Sequence, residues 1–387
     1  MTDSLTCGAA RVDITPAYPV DLTGYACPRN PAIGVLDRIY VRAAVFDNGC
    51  HRVVIVGLDI LELPRAIADD LRRLAAQLAG TTPDHVCLAC THTHAAPAAY
   101  SLKECGSVSE RFVEDLHAKT SQVVQAAAGQ IRPVRLAWSS APLDIGGNRR
   151  GHTEADTALR VLAATDDAGR TVCTLLNYAC HGVCLAGDNR LISGDWPGGL
   201  CRTLEQGLGT GGVAIFLNGC TGDIDPRDQY RGGLAGLNAA VTRAAQAAAA
   251  ALAHLRPSSE THLAADERIV SLPYDRPAPG GETAMPVCLQ HLAIGPVEIV
   301  ALSGEVLYAI GRQIQDRAAR EALWVAAYCN GGHGYVCTDQ ALAEGGYEPD
   351  ASNYYYDRPA ILPGAERVLV EAGLRCLDGP PNPGEAS

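Results

Sequence analysis

His85-Val-Cys-Leu-Ala-Cys-Thr-His-Thr-His-Ala-Ala-Pro97 runs from an apolar segment straight into two histidines. His85 to Cys90 has the length and β-branched, apolar character of a buried strand. In an extended chain, residues two apart point to the same side. The rings of His92 and His94 are therefore expected to face one cavity, one as a metal ligand and the other as its neighbour. Ala95-Ala96-Pro97 turns the chain away with small side chains and leaves the rings accessible. The competing account is a pair of surface histidines on a turn, and a motif this short does occur by chance.

The same pattern recurs outward from this stretch. Apolar strands are expected over 38–47 and 52–59, joined by the hairpin dipeptide Asn48-Gly49, and over 134–139, 158–164, 172–179, 213–217, 263–274, 287–294, 297–302 and 324–328. Helices are expected over 64–78, 109–128, 233–255, 306–320 and 365–376, with a further start at Ser193-Gly-Asp-Trp-Pro-Gly198, where Asp195 can cap and Pro197 suits the first turn. Strand after strand ends in a polar, often glycine-rich segment: Cys90 before His92 and His94, Ala179 before His181, Leu217 before Asp223 and Asp225, Leu302 before Glu305, Tyr328 before His333 and Tyr335. Loops at strand carboxyl ends collect at one edge of an α/β sheet, where sites are built. The expected architecture is layered α/β, with mixed sheets flanked by helices and no clean βαβ alternation. No composition break, linker or repeat divides the chain, so residues 1–377 are expected to form one domain, with a disordered Pro/Gly-rich tail over 378–387.

Bulk composition excludes several classes. With 47% hydrophobic and 19% charged residues the chain reads as an ordinary folded protein. A net charge of −12 without any basic stripe argues against nucleic acid or an anionic membrane surface as partner. No apolar run approaches the ~18 residues of a membrane span, and Met1 to Gly8 has no signal-peptide pattern. The 15 cysteines are odd in number and follow no framework spacing, which points to free thiols in a reducing cytoplasm. The alanine-rich composition suggests a bacterial source. Cys87-Leu-Ala-Cys90 has redox-motif spacing, but its apolar setting reads as two core thiols, the opposite of the exposed, low-pKa cysteine a thiol redox enzyme needs.

Two histidines, one carboxylate and an open position form the ligand set of a hydrolytic zinc site. Zinc lowers the pKa of bound water towards ~7 and so supplies a nucleophile at neutral pH. Each member also has a plain structural account. Glu305 in Ser-Gly-Glu, for example, could simply favour the dipole of the helix after it.

In this order, several segments resemble the N-terminal catalytic domain of the neutral/alkaline non-lysosomal ceramidase family. They are Arg11-Val-Asp-Ile-Thr-Pro16, Thr91-His-Thr-His94 with Pro97, Asn148-Arg149, His181, Gly222-Asp-Ile-Asp-Pro226, Gly304-Glu305, Tyr335-Val-Cys-Thr338 and Tyr347-Glu348, spanning roughly Arg11 to Glu348. Each is weak alone; eight in register are specific.

The resemblance implies a zinc-dependent amidohydrolase that cleaves an N-acyl amide of ceramide type. It implies His92, His181, Glu305 and Tyr335 as zinc ligands, although spacing alone does not favour Tyr335 over His333. It implies His94 beside the metal's water as hydrogen-bond or acid–base partner, and Arg149 and Tyr347 lining the substrate site. Ala95-Ala96 stands where the family usually has Ser-Gly. Asp225 stands where it has a serine, which excludes a serine nucleophile there. The family's immunoglobulin-like C-terminal domain and secretion signal have no counterpart in this sequence, and a cytoplasmic protein with a small-molecule or lipid-like amide substrate is expected. Two alternatives stay open: a metal-dependent enzyme that forms or rearranges an amide or lactam in a biosynthetic pathway, and a non-catalytic relative that binds an acylated ligand.

Overall fold

Asn48 and Gly49 do turn a hairpin. Strands Tyr40–Asp47 and Arg52–Leu58 pair antiparallel with Asp47 opposite Arg52. The Asn48 carboxamide oxygen accepts from the N–H groups of Cys50 and His51, and Gly49 takes φ +85°. The outer side of the hairpin is covered by Thr6–Asp13, antiparallel to Tyr40–Asp47. From Leu58 the chain crosses over through helix Arg65–Ala79 and returns as Val86–Cys90, parallel to Arg52–Leu58. The computed structural model describes residues 4–207 and 211–378; apart from Asp378, the expected tail lies outside the described residues.

This arrangement occurs three times. Arg135–Pro142, Ala158–Thr165 and Thr171–Tyr178 run antiparallel; helix Asp195–Gly207 then leads to Val213–Asn218, parallel to Thr171–Tyr178. Leu263–Pro273, Ala284–Ile294 and Val297–Leu302 repeat it, followed by helix Tyr308–Ala318 and the parallel strand Leu323–Ala326. The sheets are thus mixed, as expected. The three-fold repetition was not visible in the sequence, because it lies in strand order and not in residue identity. Each sheet contains only one βαβ crossover, appended to antiparallel strands, so there is no clean βαβ alternation, as expected.

The three sheets share one core. Phe46, Ile55 and Ala89 of the first, Leu162, Leu175 and Ile215 of the second, and Leu292, Ile299 and Trp324 of the third pack into a single buried cluster. The alternate residues of the first sheet, Val45, Val54, Val56 and Leu88, pack with Leu71 and Leu116 from helices Arg65–Ala79 and Glu110–Ala128. Both faces are covered, so these strands read as continuous apolar runs. Cys87 and Cys90 fall in these two different clusters, on opposite faces of the sheet. Burial pushes the Cys90 thiol far up. Nothing of a dithiol redox centre remains there. Among the described residues no helix is long and apolar enough to cross a membrane.

Candidate metal centre

Each crossover lays two parallel strands side by side, so their carboxyl ends open at one edge. His92 and His94 leave the first sheet there, His181 the second and Glu305 the third. The route of His92 differs from the extended chain expected. The strand ends at Cys90, and His92 takes φ +60°, in the left-handed region. A non-glycine residue costs about 1–2 kcal/mol there. The turn is held by backbone bonds: His92 N–H donates to the Ile60 carbonyl at 3.0 Å, and His94 N–H to Gly182 at 3.2 Å. Both rings still reach one cavity, with centroids 5.0 Å apart.

His181 is fixed from two sides. Its N–H donates to the Ile224 carbonyl at 2.9 Å, and its own carbonyl accepts from the Trp196 indole at 2.8 Å. Asp195, expected as a helix cap, does more. Its carboxylate accepts from the N–H groups of Cys184 and Leu185 at 3.0 Å as well as from Trp196, holding the loop that follows His181. Glu305 does not begin a helix. It lies in a two-residue strand, Glu305–Val306, paired in parallel with Tyr335–Val336 so that Glu305 stands opposite Tyr335. The helix starts later, at Tyr308. The helix-dipole account of Glu305 therefore fails.

The electrostatics of this group favour a cation. Nδ1 of His92 lies 2.9 Å from the Leu61 carbonyl, and Nδ1 of His181 lies 3.2 Å from that of Ile224. A carbonyl only accepts, so each Nδ1 carries a hydrogen, and in a neutral ring Nε2 then presents a lone pair. Those Nε2 atoms stand 3.2 and 3.3 Å from the same oxygen, Oε2 of Glu305. Three lone pairs turned on one another repel unless positive charge lies between them. Tetrahedral zinc with bonds of ~2.0–2.1 Å places its ligand atoms about 3.4 Å apart. The residues present thus fit zinc in chemistry and in spacing.

Burial pushes the His92 ring down to its neutral form, only partly offset by Glu305. Burial also opposes charge on Glu305; positive charge at His92 and then His181 pulls its carboxyl well below the usual carboxylate range, a part that a cation between neutral rings would take over. A neutral imidazole and an ionised carboxylate are the forms that bind a metal. His94 is the third nitrogen donor: the ligand atoms of His92, His94 and His181 all lie within 4.8 Å of one another. Neither ring nitrogen of His94 has a hydrogen-bond partner. Burial, then His92 and His181, keep that ring neutral.

The remaining expected residues lie around this group in different roles. The Tyr335 hydroxyl accepts from Nη2 of Arg149 at 3.1 Å, and burial beside Glu305 keeps the phenol protonated. Arg149 is heavily committed: it also donates to Glu348 at 2.7 Å, Asp225 at 3.1 Å and the Gly222 carbonyl at 2.7 Å. One N–H of its guanidinium is left over. Asp225 takes Arg149, lies 3.4 Å from Arg231 and stands 3.8 Å from Nδ1 of His181. Asp223 is used up by Asn148 and by the N–H of Tyr308. Tyr347 lies edge-on to Tyr335 with its ring 5.4 Å from the Arg149 guanidinium carbon. His333 is outside the group: it does not line the cavity, and burial with Arg65 and Arg358 pushes its ring down to about 4.

Three residues escaped the sequence reading. The Tyr328 hydroxyl lies 2.6 Å from Thr221 Oγ1 and donates to Glu305 Oε2 at 3.4 Å, and its ring sits 4.1 Å from that of His92. Tyr356 donates to Oε1 of Glu305 and stands 3.4 Å from Glu62. Glu62 is buried, with one oxygen unpartnered, and burial followed by the charge of Glu305 pushes it well above the carboxylate range. A Cβ on Gly332 would fall 1.6 Å from the Glu62 carboxyl carbon, so glycine alone leaves room for it. The signal for Glu62 was present, a strand ending in a polar residue, but Ile60 and Leu61 intervene and hide it.

A cavity of about 200 Å³ opens from this group, walled by His92, His94, Glu305, Leu61, Leu102 and the rings of Tyr25, Tyr335, Tyr347, Tyr355 and Tyr356. A larger cleft of about 420 Å³, with Asp223, Arg150 and Arg312 in its wall, contains none of the histidines of the cluster.

Residues 5–152 match the family described as neutral/alkaline non-lysosomal ceramidase, N-terminal. That stretch contains His92, His94 and Arg149; His181, Glu305, Tyr335 and Tyr347 lie beyond it. Neutral ceramidase B of Dictyostelium discoideum is 27% identical over 252 residues, a match covering 57% of this chain and 35% of that protein. Neutral ceramidase of Pseudomonas aeruginosa is 26% identical over 245 residues, covering 57% and 36%. The chain thus spans about a third of the length of these curated relatives. The crystal structure of neutral ceramidase from Pseudomonas aeruginosa has a TM-score of 0.80, with 19% identity, over 97% of this chain and 75% of that one. Over residues 5–152 the chain is thus similar to the N-terminal part of neutral/alkaline non-lysosomal ceramidases, and its fold is that of the neutral ceramidase from Pseudomonas aeruginosa.

Proposed function

We propose that the protein is a zinc-dependent hydrolase of carboxamides, with the metal held by His92, His181 and Glu305. The observation that carries this is the convergence of two Nε2 lone pairs on one carboxylate oxygen. Tyr335, opposite Glu305 in the parallel pair, is a fourth ligand on the family pattern, and His94 reaches the same space. Zn²⁺ held there supplies Lewis acidity and brings the pKa of water towards ~7.

The chain's own residues do the rest. His94, neutral and without a hydrogen-bond partner, takes the proton from the attacking water at a ring nitrogen and returns it to the leaving amine. The Tyr347 hydroxyl and the last free N–H of Arg149 serve the developing oxyanion, where one well-placed donor contributes ~10²–10³ in rate. Tyr356 and Tyr328 hold Glu305 in place. Asp225 keeps Arg149 in position and has no nucleophile's role.

The cavity limits the substrate. Its 200 Å³ is below the ~300–1,000 Å³ of sites that engulf a drug-sized ligand. It takes the amide and the groups directly attached to it, and a long chain would run out past the half-exposed Tyr347 that lines it. The test is metal content together with hydrolysis of N-acyl amides of graded acyl length. One zinc per chain, with the shortest acyl groups cleaved most efficiently, supports the assignment. A metal-free protein with full amidase activity overturns the zinc centre, and a preference for long acyl chains overturns the compact substrate.

A further inference from the structure

Two cysteines outside the metal centre meet at the mouth of its cavity. Cys27 and Cys105 form an isolated parallel bridge between two loops, in which Gly106 N–H donates to the Cys27 carbonyl at 3.0 Å. Backbones paired in this way run ~4.8 Å apart, with paired side chains on one side. That lies inside the ~4.4–6.8 Å Cα separation a disulfide requires. The two loops are walls of the cavity: Gly24, Tyr25 and Ala26 precede Cys27, while Leu102 and Cys105 line it directly.

The two thiols differ in the way a reactive pair does. Cys27 is half-buried; its Sγ donates to the Arg29 carbonyl at 3.1 Å and lies 3.9 Å from Nη2 of Arg190. A guanidinium beside a partly accessible sulfur also attracts an anionic oxidant to it. Cys105 is buried against Leu61 and Leu102. Burial, then Glu104 and Cys27, push its thiol up to about 11, so it follows rather than leads. Both are free thiols in this structure.

We propose that Cys27 and Cys105 form a reversible disulfide that ties the two walls of the cavity together, with a low-molecular-weight disulfide as oxidant. The Cys27 thiolate attacks one sulfur of the small disulfide; a mixed disulfide forms and one small thiolate leaves. The Cys105 thiol then loses its proton to water and attacks Cys27 Sγ, and the second small thiolate leaves. Two protein thiols and one small disulfide become one protein disulfide and two small thiols, so electrons and protons balance. A link of this kind in a protein with otherwise free thiols is regulatory in character, made and broken with the redox state of its surroundings.

The full-length protein is incubated with oxidised glutathione, digested without reductant and examined by mass spectrometry. The expected product is a peptide pair joined through Cys27 and Cys105 that dithiothreitol separates. In Cys105→Ser the reaction stops at a glutathione adduct on Cys27. Exposed Cys50 is the internal standard: Cys27 is expected to react faster, and Arg190→Gln to remove that advantage. The proposal is overturned if the wild type accumulates a stable glutathione adduct on Cys27 without cross-linking, or if Cys27 reacts no faster than Cys50. Neither readout uses catalysis, so failure here leaves the hydrolase assignment standing, and the reverse holds as well.

Discussion

The phenol of Tyr356 donates its hydrogen bond to Oε1 of Glu305, which leaves Oε2 alone to face His92 and His181. A carboxylate pinned in this way offers one oxygen to a metal instead of two. Residues that orient a ligand typically change metal affinity by ~10–100-fold when removed. Tyr356→Phe is therefore expected to weaken zinc binding by about that factor, read by competition with a chromophoric chelator. An unchanged affinity would show that Glu305 needs no such clamp.

His92 and His94 carry different expectations although their rings are neighbours. His92→Ala removes a nitrogen that shares Glu305 with His181, and loses the metal. His94→Ala is expected to retain zinc and to lose about 10²–10⁴ in rate as the proton acceptor goes. Metal analysis beside single-turnover kinetics separates the two. Equal loss of zinc in both variants would make His94 a ligand.

Gly332→Ala places a methyl group inside the Glu62 carboxyl. Overpacking of this kind costs typically about 1–3 kcal/mol, and the overlap here puts the expected loss at the upper end or beyond. Glu62→Ala removes the obstacle, so the double variant should be more stable than the sum of the two single losses, as coupled neighbours are. Chemical denaturation of the four proteins measures this; simple additivity would mean that the clash relaxes elsewhere.

His333 gives the protein an acid-sensitive component. Its ring is pushed down to about 4 in the fold, whereas the unfolded chain takes up the proton near ~6.5. Between those values the unfolded state binds more protons, so stability is fully present above ~6.5 and falls as pH falls towards 4. The shift corresponds to at most about 3 kcal/mol at ~1.4 kcal/mol per unit. His333→Gln should flatten the stability profile in that window. A wild-type profile that is level from pH 7 to 4 would remove the effect.

Much of the architecture was legible because apolar strands and their turns are local signals. The hairpin at Asn48-Gly49, the helix over 65–79 and the ends of nearly every strand follow from periodicity and turn chemistry. The repeated crossover was hidden, since parallel pairing is a long-range choice that no residue type announces. Within the site, residues that end a strand and stand alone in a polar loop were readable: His92, His94, His181 and Glu305. Those masked by apolar neighbours or lying in a run of like residues were not, as with Glu62 behind Ile60-Leu61 and Tyr356 behind Tyr354-Tyr355. The backbone at His92 was misread because a left-handed turn leaves no mark on composition when a histidine makes it.

The three-fold repetition of sheet and crossover spreads the proposed metal site over most of the chain. Of the proposed ligands, His92 follows the first repeat's last strand, His181 precedes the second crossover and Glu305 the third, so a fragment ending before the third repeat would lack the carboxylate. If the proposed site holds zinc, tight binding would require all three repeats to have docked on their common core.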